Sequence, residues 1–240
     1  MPFYNKKYER QFHSLQRDPA ESRDDPDEAR PKNPMKIAVF GATGGTGKLF
    51  TALALENGHE VIALVRNASK LSGSDKLRVV VGDATNEQAV KRVVDDGVDV
   101  VVSTLGFVPG DEPIMTTAVM NILEAARMQQ VPPRCVIMTT MGVGNTSYHV
   151  KLVLSLFVAG CKVIADYERA DAAVRQNGKV PYVLVRAAHL IDGPSTDTYT
   201  TSLTGCYHIA MKISRADVAN FLLRATSSVE FENKAVQLHI

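Results

Sequence analysis

A chain of 240 residues in which 45% of side chains are hydrophobic suffices for one large domain with a substantial core. Its 27 basic and 26 acidic residues leave a formal net charge of +1, which argues against nucleic acid as the main partner because no global basic field exists. The apolar run 152–161 is too short to span a bilayer, and three cysteines (Cys135, Cys161, Cys206) without CxxC spacing read as reduced thiols in a cytoplasmic setting.

Residues 1–34 differ in kind from the rest. They hold five of the eleven prolines, seven basic and seven acidic residues, and almost no aliphatic side chains. Such a segment buries too little apolar area to offset ordering entropy, so the sequence predicts a disordered polar extension over 1–34 and a single folded domain over 35–240. It carries neither the apolar centre of a signal peptide nor the acid-poor composition of a transit peptide.

The folded part opens with Lys36-Ile-Ala-Val-Phe40, an apolar run that reads as a buried strand. Gly41-Ala-Thr43-Gly44-Gly45-Thr46-Gly47 follows, and then Leu49, Phe50 and Leu53 at helical spacing. A strand, a glycine-rich turn and a helix start in that order make a dinucleotide-binding fingerprint. Gly41 serves the tight turn, Gly44 the approach of backbone to a pyrophosphate, and Gly47 the close packing of helix on strand. Unpaired N–H groups at the helix N-terminus, with the positive end of its dipole, face the phosphates. The second strand, 61–65, ends in Arg66, with Lys70 shortly after. NAD-binding versions place there an acid for the ribose 2′-hydroxyl; a guanidinium and an ammonium suit a 2′-phosphate instead, so the cofactor reads as NADP(H).

Alternation continues down the chain. Residues 78–83 form a short strand ending at Asp83, and Thr85 to Gln88 reads as a capping box opening a helix toward Asp96. A fourth strand spans 98–104, and Pro113 opens the next helix. A fifth strand runs over 135–140, a helix runs from Tyr167 to Gln176 and stops at Gly178, and a sixth strand covers 182–186. Ser214-Arg215-Ala216-Asp217 caps a last helix, and 236–239 closes the sheet. The fold class is therefore α/β, a Rossmann-like doubly wound parallel sheet with a small substrate-covering insert at 192–212. Ligands in such sheets lie across the carboxyl ends of the strands. Two readings of Asp83 stand: an acceptor for the adenine amino group, or a turn residue.

These residues resemble a known family. Gly41 to Gly47, Leu64-Val65-Arg66, Val81-Gly82-Asp83, Tyr182 to Arg186 and Ile213 to Ala219 together look like the atypical short-chain dehydrogenase/reductases. The branch is the NAD(P)H-binding group that contains flavin/biliverdin-IXβ reductase and NmrA-like proteins. The resemblance covers 35–240. It implies Gly41, Thr43, Gly44, Gly45 and Thr46 at the pyrophosphate, Arg66 and Lys70 at the 2′-phosphate, Asp83 and Ala84 at the adenine, and Leu105 and Gly106 on the ribose side. Met138, Thr140 and His189 would lie near the nicotinamide, with Thr140 in the place of a serine beside the substrate.

One departure matters. Many short-chain reductases pair a tyrosine with a lysine four residues on, which lowers the phenol pKa. None of the seven tyrosines here has Lys at that spacing. Tyr148 and Lys151 at i, i+3 are an incidental pair on this reading. His189 reads either as a proton donor near neutral pH or as a structural histidine. The six histidines show no metal-ligand spacing. The apolar run 152–158 fits a hydrophobic substrate, core packing or a dimer face equally. Three functions follow: an NADPH-dependent oxidoreductase acting on a planar or conjugated small molecule, an NmrA-like NADP(H) sensor with a protein partner, or a non-redox isomerase or dehydratase. The chain is expected as a monomer or homodimer, away from membranes.

Overall fold

Apolar strands covered on both faces form the centre of a parallel sheet, and the sheet is built from such segments. The computed structural model describes residues 33–71, 73–144, 158–203 and 211–240. Its strands are β1 (Lys36–Phe40), β2 (Glu60–Val65), β3 (Leu77–Val81), β4 (Val100–Ser103), β5 (Arg134–Thr140), β6 (Tyr182–Ala187), β7 (His189–Ile191), β8 (Thr200–Ser202), β9 (Lys212–Ser214) and β10 (Lys234–His239). Its helices are α1 (Gly45–Glu56), α2 (Glu87–Val94), α3 (Met115–Arg127), α4 (Val158–Gln176) and α5 (Arg215–Ser227).

Eight strands pair in the order β3-β2-β1-β4-β5-β6-β10-β8. Every pairing is parallel except β10 with β8, which is antiparallel and closes one edge. The strand order reverses between β1 and β4, so the crevice at their carboxyl ends is the topological switch point. The sequence anticipates the doubly wound sheet. It does not anticipate the second, two-stranded sheet of β7 and β9, which are three residues each.

Side-chain alternation divides the core into two layers. Ile37, Val39, Val100, Val102, Val183 and Val185 face α1 and α5, while Ala38, Phe40, Val101, Ile137 and Leu184 face α2, α3 and α4. Phe50 of α1 and Phe221 of α5 are fully buried in the first layer; truncating either to Ala is worth about 3–5 kcal/mol. Cys135 is buried in the second, where burial pushes its thiol up to about 12, so it is an inert core residue. The side chains of Cys161 and Cys206, residues 1–32 and the Tyr148–Lys151 pair lie outside the described residues.

Helix starts show how local chemistry is corrected by context. α2 is capped by Asn86, whose side chain accepts from the N–H of Ala89 at 2.9 Å, and not by Thr85. Thr85 is taken by Asp83 Oδ1, which accepts its N–H at 2.8 Å and its hydroxyl at 2.7 Å. Pro113 falls before α3 rather than inside its first turn. The orphan N–H groups of Met115 and Thr116 are accepted by the carboxylate of Asp166 on α4, at 2.7 and 3.2 Å, so one helix caps the other. At α5, Ser214 accepts from Asp217 N–H at 2.9 Å and donates to its carboxylate at 2.8 Å, as the Ser-x-x-Asp spacing predicts.

Behind the sheet, opposite the crevice, His59 is fully buried just before β2. Its Nδ1 accepts the N–H of Met35 at 3.0 Å, which leaves the ring proton on Nε2, a buried atom without a partner. Burial, reinforced by the charge of Lys76, lowers its pKa below the ordinary histidine value. The folded state thus resists a proton that the unfolded chain accepts below about pH 6.5. The contribution is intact above that pH and lost progressively as pH falls. The expected outcome is a thermal midpoint that declines from pH 7 to 5.5, with a shallower decline in His59→Asn, which keeps an acceptor for Met35 but does not titrate. Equal slopes in the two proteins contradict this assignment.

Candidate functional site

The Gly-rich turn leaves β1 at Gly41, whose φ of +85° is a backbone state that L side chains rarely adopt. A Cβ there would lie 2.9 Å from Leu105 N, Thr104 C and Thr104 Oγ1. Thr104 seals this corner: its N–H and its hydroxyl both donate to the carbonyl of Phe40, at 2.9 and 3.1 Å, locking the ends of β1 and β4 together. One turn into α1, a Cβ on Gly47 would come within 2.1 Å of the carbonyl oxygen of Gly41. Helix and turn are therefore as close as two backbones pack, and only glycine allows it.

Gly44 is glycine for another reason. It is exposed, its φ of −76° suits any residue, and a Cβ would meet only Gly41 O, at 3.3 Å. The protein leaves room that it does not fill. Gly44 is also the N-cap of α1, where no side chain caps the helix and no acid stands in the first turn. α2, α3 and α5 each receive a side-chain oxygen at their N-termini; among the described residues α1 receives none. Its first N–H groups and its dipole are thus available to an anion. Gly45 has a third constraint: a Cβ there would lie 2.7 Å from Cδ and 2.8 Å from Nε of Arg215, which lies across it from the start of α5.

These groups border a cavity of about 500 Å³ at the switch point. Of the residues singled out in the sequence, Gly41, Thr43, Gly44, Arg66, Asp83, Ala84, Leu105 and Gly106 line it. Gly45, Thr46 and Gly47 form the helix start behind that wall, with Thr46 and Gly47 buried. Arg66 is exposed and its Nη1 lies 3.5 Å from Asp111 Oδ2, a loose pair across the mouth. Hydrogen bonds from Thr85, its hydroxyl first and its N–H second, hold the Asp83 carboxyl below the usual carboxylate range against a smaller desolvation effect, with help from Arg66. The turn reading of Asp83 is therefore realised, on one of its two oxygens. A more open hollow of about 540 Å³ shares Gly82 and Asp83, but its remaining lining is the polar flank of α2.

The other named residues lie outside this cavity lining. Lys70 ends a single 3-10 turn (Ala68–Lys70) and is exposed. Met138 is buried in the layer under α1 and α5. Thr140, half-buried at the end of β5, sits on the same face two residues on. His189 is exposed at the start of β7, its N–H on Met211 O at 3.3 Å. On the neighbouring strand, Arg186 of β6, opposite Thr139, is taken by Asp171 on α4 through two bonds, at 2.8 and 3.0 Å, and Asp171 also accepts from Arg175 at 2.7 Å. Arg186 fills the space beside Gly144, whose φ is +59°.

The loop between β4 and α3 beyond Gly106, and the anchoring of the insert that the sequence places at 192–212, escaped the sequence reading. The loop between β4 and α3 supplies Val108, Gly110, Asp111, Glu112 and Ile114 to the cavity. It is held by Tyr167, whose hydroxyl accepts the N–H of Phe107 at 3.0 Å and which burial keeps protonated. The loop after β7 is held by Asp217, which beyond its capping bonds accepts from Ser195 Oγ, Thr196 N and Asp197 N at 2.7, 2.8 and 3.1 Å. Burial alone would raise this carboxyl, but those bonds outweigh it and hold it low. The Gly and Pro content of the first loop and the Ser-Arg-x-Asp element were the available signals.

Comparison with known proteins agrees with this geometry. The NAD(P)H-binding family model matches residues 41–228, and the chain belongs to that family. The NAD(P)H-binding part of the resemblance drawn from the sequence is thereby shown. An uncharacterized chloroplastic protein of Arabidopsis thaliana is 27% identical over 217 residues, 85% of this chain and 76% of that one. The reductase PytE of Aspergillus terreus is 28% identical, over 84% of this chain and 97% of its own. Among solved structures, ChuY, an anaerobilin reductase of Escherichia coli O157:H7, superposes with a TM-score of 0.70 at 20% identity, covering 85% and 96% of the two chains. A short-chain dehydrogenase/reductase of Veillonella parvula in complex with NADP has a TM-score of 0.67 at 15% identity, covering 85% and 94%. No described helix is long and apolar enough to cross a membrane.

The different reasons for the glycines separate by substitution. Gly47→Ala drives a Cβ into the Gly41 carbonyl and is expected to cost about 3 kcal/mol or more in urea unfolding, at the upper end of overpacking effects. Gly44→Ala is expected to stay within about 1 kcal/mol of the parent. Similar losses in both variants contradict the division of roles.

Proposed function

We propose that the protein is an NADPH-dependent oxidoreductase that reduces a planar or conjugated small molecule, a flavin, quinone or similar carbonyl acceptor. The observation that carries the cofactor half is the uncapped start of α1, where Gly44 leaves space beside unpartnered N–H groups. Gly41 to Gly47 hold the pyrophosphate there, and the Asp83 oxygen not engaged by Thr85 accepts the adenine amino group. Arg66 takes the 2′-phosphate with a fork that matches its oxygens, with Lys70 adding charge; no acid follows β2 to favour NAD. The neighbour from Veillonella parvula, solved with NADP, fits this choice.

The redox half is supported by the reductase PytE over nearly the full length of both chains and by the reductase ChuY on the same fold. When bound, reduced nicotinamide supplies the hydride. The chain's own part is to orient. Thr140 hydrogen-bonds the acceptor at the end of β5, next to the strand that the Asp171–Arg186 pair holds. His189, exposed on β7, is assigned the proton transfer.

A sensor of the NADP(H) ratio is the second reading, favoured by one observation. Tyr167, the half-buried phenol beside Gly106, has no lysine at the following turn; Asp171 stands there, engaged by two arginines. The phenol is therefore not activated as a proton donor. The two readings part in a single assay: NADPH oxidation with FMN, riboflavin, quinones and a linear tetrapyrrole as acceptors, alongside NADP+ and NADPH binding. The proposal expects turnover that falls at least tenfold in Thr140→Ala. Tight binding without turnover of any acceptor decides for the sensor. Arg66→Asp is expected to lower the preference for NADPH over NADH by tenfold to a hundredfold, the equivalent of about 1.5–3 kcal/mol for a lost charge-assisted contact. An unchanged preference contradicts the 2′-phosphate role.

A further inference from the structure

Two helix N-termini converge at the phosphate side of the site, and a single arginine lies between them. Arg215 is the first residue of α5, and α5 packs directly on α1. Its side chain crosses Gly45, with Cδ, Nε and Cζ at 2.7, 2.8 and 3.8 Å from where a Gly45 Cβ would be. The glycine is therefore as much a berth for this arginine as a turn residue. The N-terminus of α5 has its own carboxylate, Asp217; that of α1 has none. Placing a guanidinium against an uncapped helix start sets two positive ends side by side, which is unfavourable unless an anion joins them.

In the protein alone an anion meets the guanidinium but not the start of α1. Asp192, in the loop after β7, accepts from Arg215 Nη1 at 2.7 Å, with both side chains partly open to solvent. A pair of that exposure contributes little stability by itself and is readily exchanged. Bidentate guanidinium–phosphate contacts are stronger and geometrically matched.

Resting on the dinucleotide reading above, we infer that Arg215 is a further pyrophosphate-binding residue, held by Asp192 until the dinucleotide arrives. Asp192 stands in for the phosphate, and the guanidinium passes from one anion to the other. The exchange takes from Asp192 only its contact with Arg215, while Asp217 keeps its hold on residues 195–197. The affinity is thereby tuned by an internal competitor.

The sign of two substitutions tests this. NADP+ and 2′-phospho-ADP-ribose, which lacks nicotinamide, are titrated by calorimetry into the full chain and into Arg215→Gln, Asp192→Asn and the double variant. Arg215→Gln is expected to weaken both ligands about tenfold. Asp192→Asn, by removing the competitor, is expected to tighten both severalfold, and the double variant is expected to match Arg215→Gln. A merely structural ion pair weakens binding in both single variants, or alters only their melting temperatures; either result overturns the inference. If Arg215→Gln does not fold, tightening in Asp192→Asn alone decides. A wild-type chain that binds neither ligand overturns the dinucleotide reading itself, a different outcome from binding that ignores Arg215 and Asp192.

Discussion

The contact on which the site depends is backbone against backbone: α1 begins so close to the end of β1 that a single Cβ on Gly47 would meet the Gly41 carbonyl at 2.1 Å. That approach aims the uncapped start of α1 at the crevice between β1 and β4. Thr104, bonded twice to Phe40, fixes the other wall of the crevice. Every further element serves to keep these two backbones in register. Two apolar layers clamp the sheet, and α5 packs on α1 so that the helix cannot tilt away. Among the described residues the first N–H groups of α1 have no side-chain partner, a need that an anion suits.

The remaining polar architecture holds loops rather than reacting atoms. Three carboxylates each tie a loop or helix start from a distant element. Asp166 caps α3 from α4, Asp217 gathers residues 195–197, and Asp171 binds Arg186 beneath the end of β5. Each is buried, and at Asp171 the partner is itself a buried charge, so removing that carboxylate would leave Arg186 uncompensated, a loss of about 3–5 kcal/mol. Tyr199 adds an edge-on contact to Phe221 at 6.1 Å between centroids, which seats the same post-β7 loop on α5. The described loops are thus restrained on a rigid frame, the arrangement that lets one fold carry many functions.

How much of this was legible in the sequence depended on range. The strands, the Gly-rich turn and the Ser214–Asp217 cap follow from residues within a few positions of each other, and they appear where local chemistry predicts. The cap of α2 moved one residue because Asp83, two positions earlier, had already captured Thr85. The cap of α3 was hidden because its oxygen comes from some fifty residues downstream. Arg215 and Asp192 are separated by 23 positions and meet because β7 pairs with β9, Ile191 opposite Ser214. The pairing of β7 with β9 has no apolar run long enough to announce it. The glycines shared one sequence pattern but answer to three different constraints: a positive φ at Gly41, a side chain across Gly45, and backbone contact at Gly47.

The most direct measurement of the central claim is the amide spectrum of the Gly-rich turn. Titrating NADP+ into 15N-labelled protein is expected to move the N–H resonances of Gly45 and Thr46 strongly downfield and to protect them from exchange, as charge-assisted bonds to phosphate form. Shifts confined to other regions, with these amides unmoved at saturation, would contradict the placement of the dinucleotide at the start of α1.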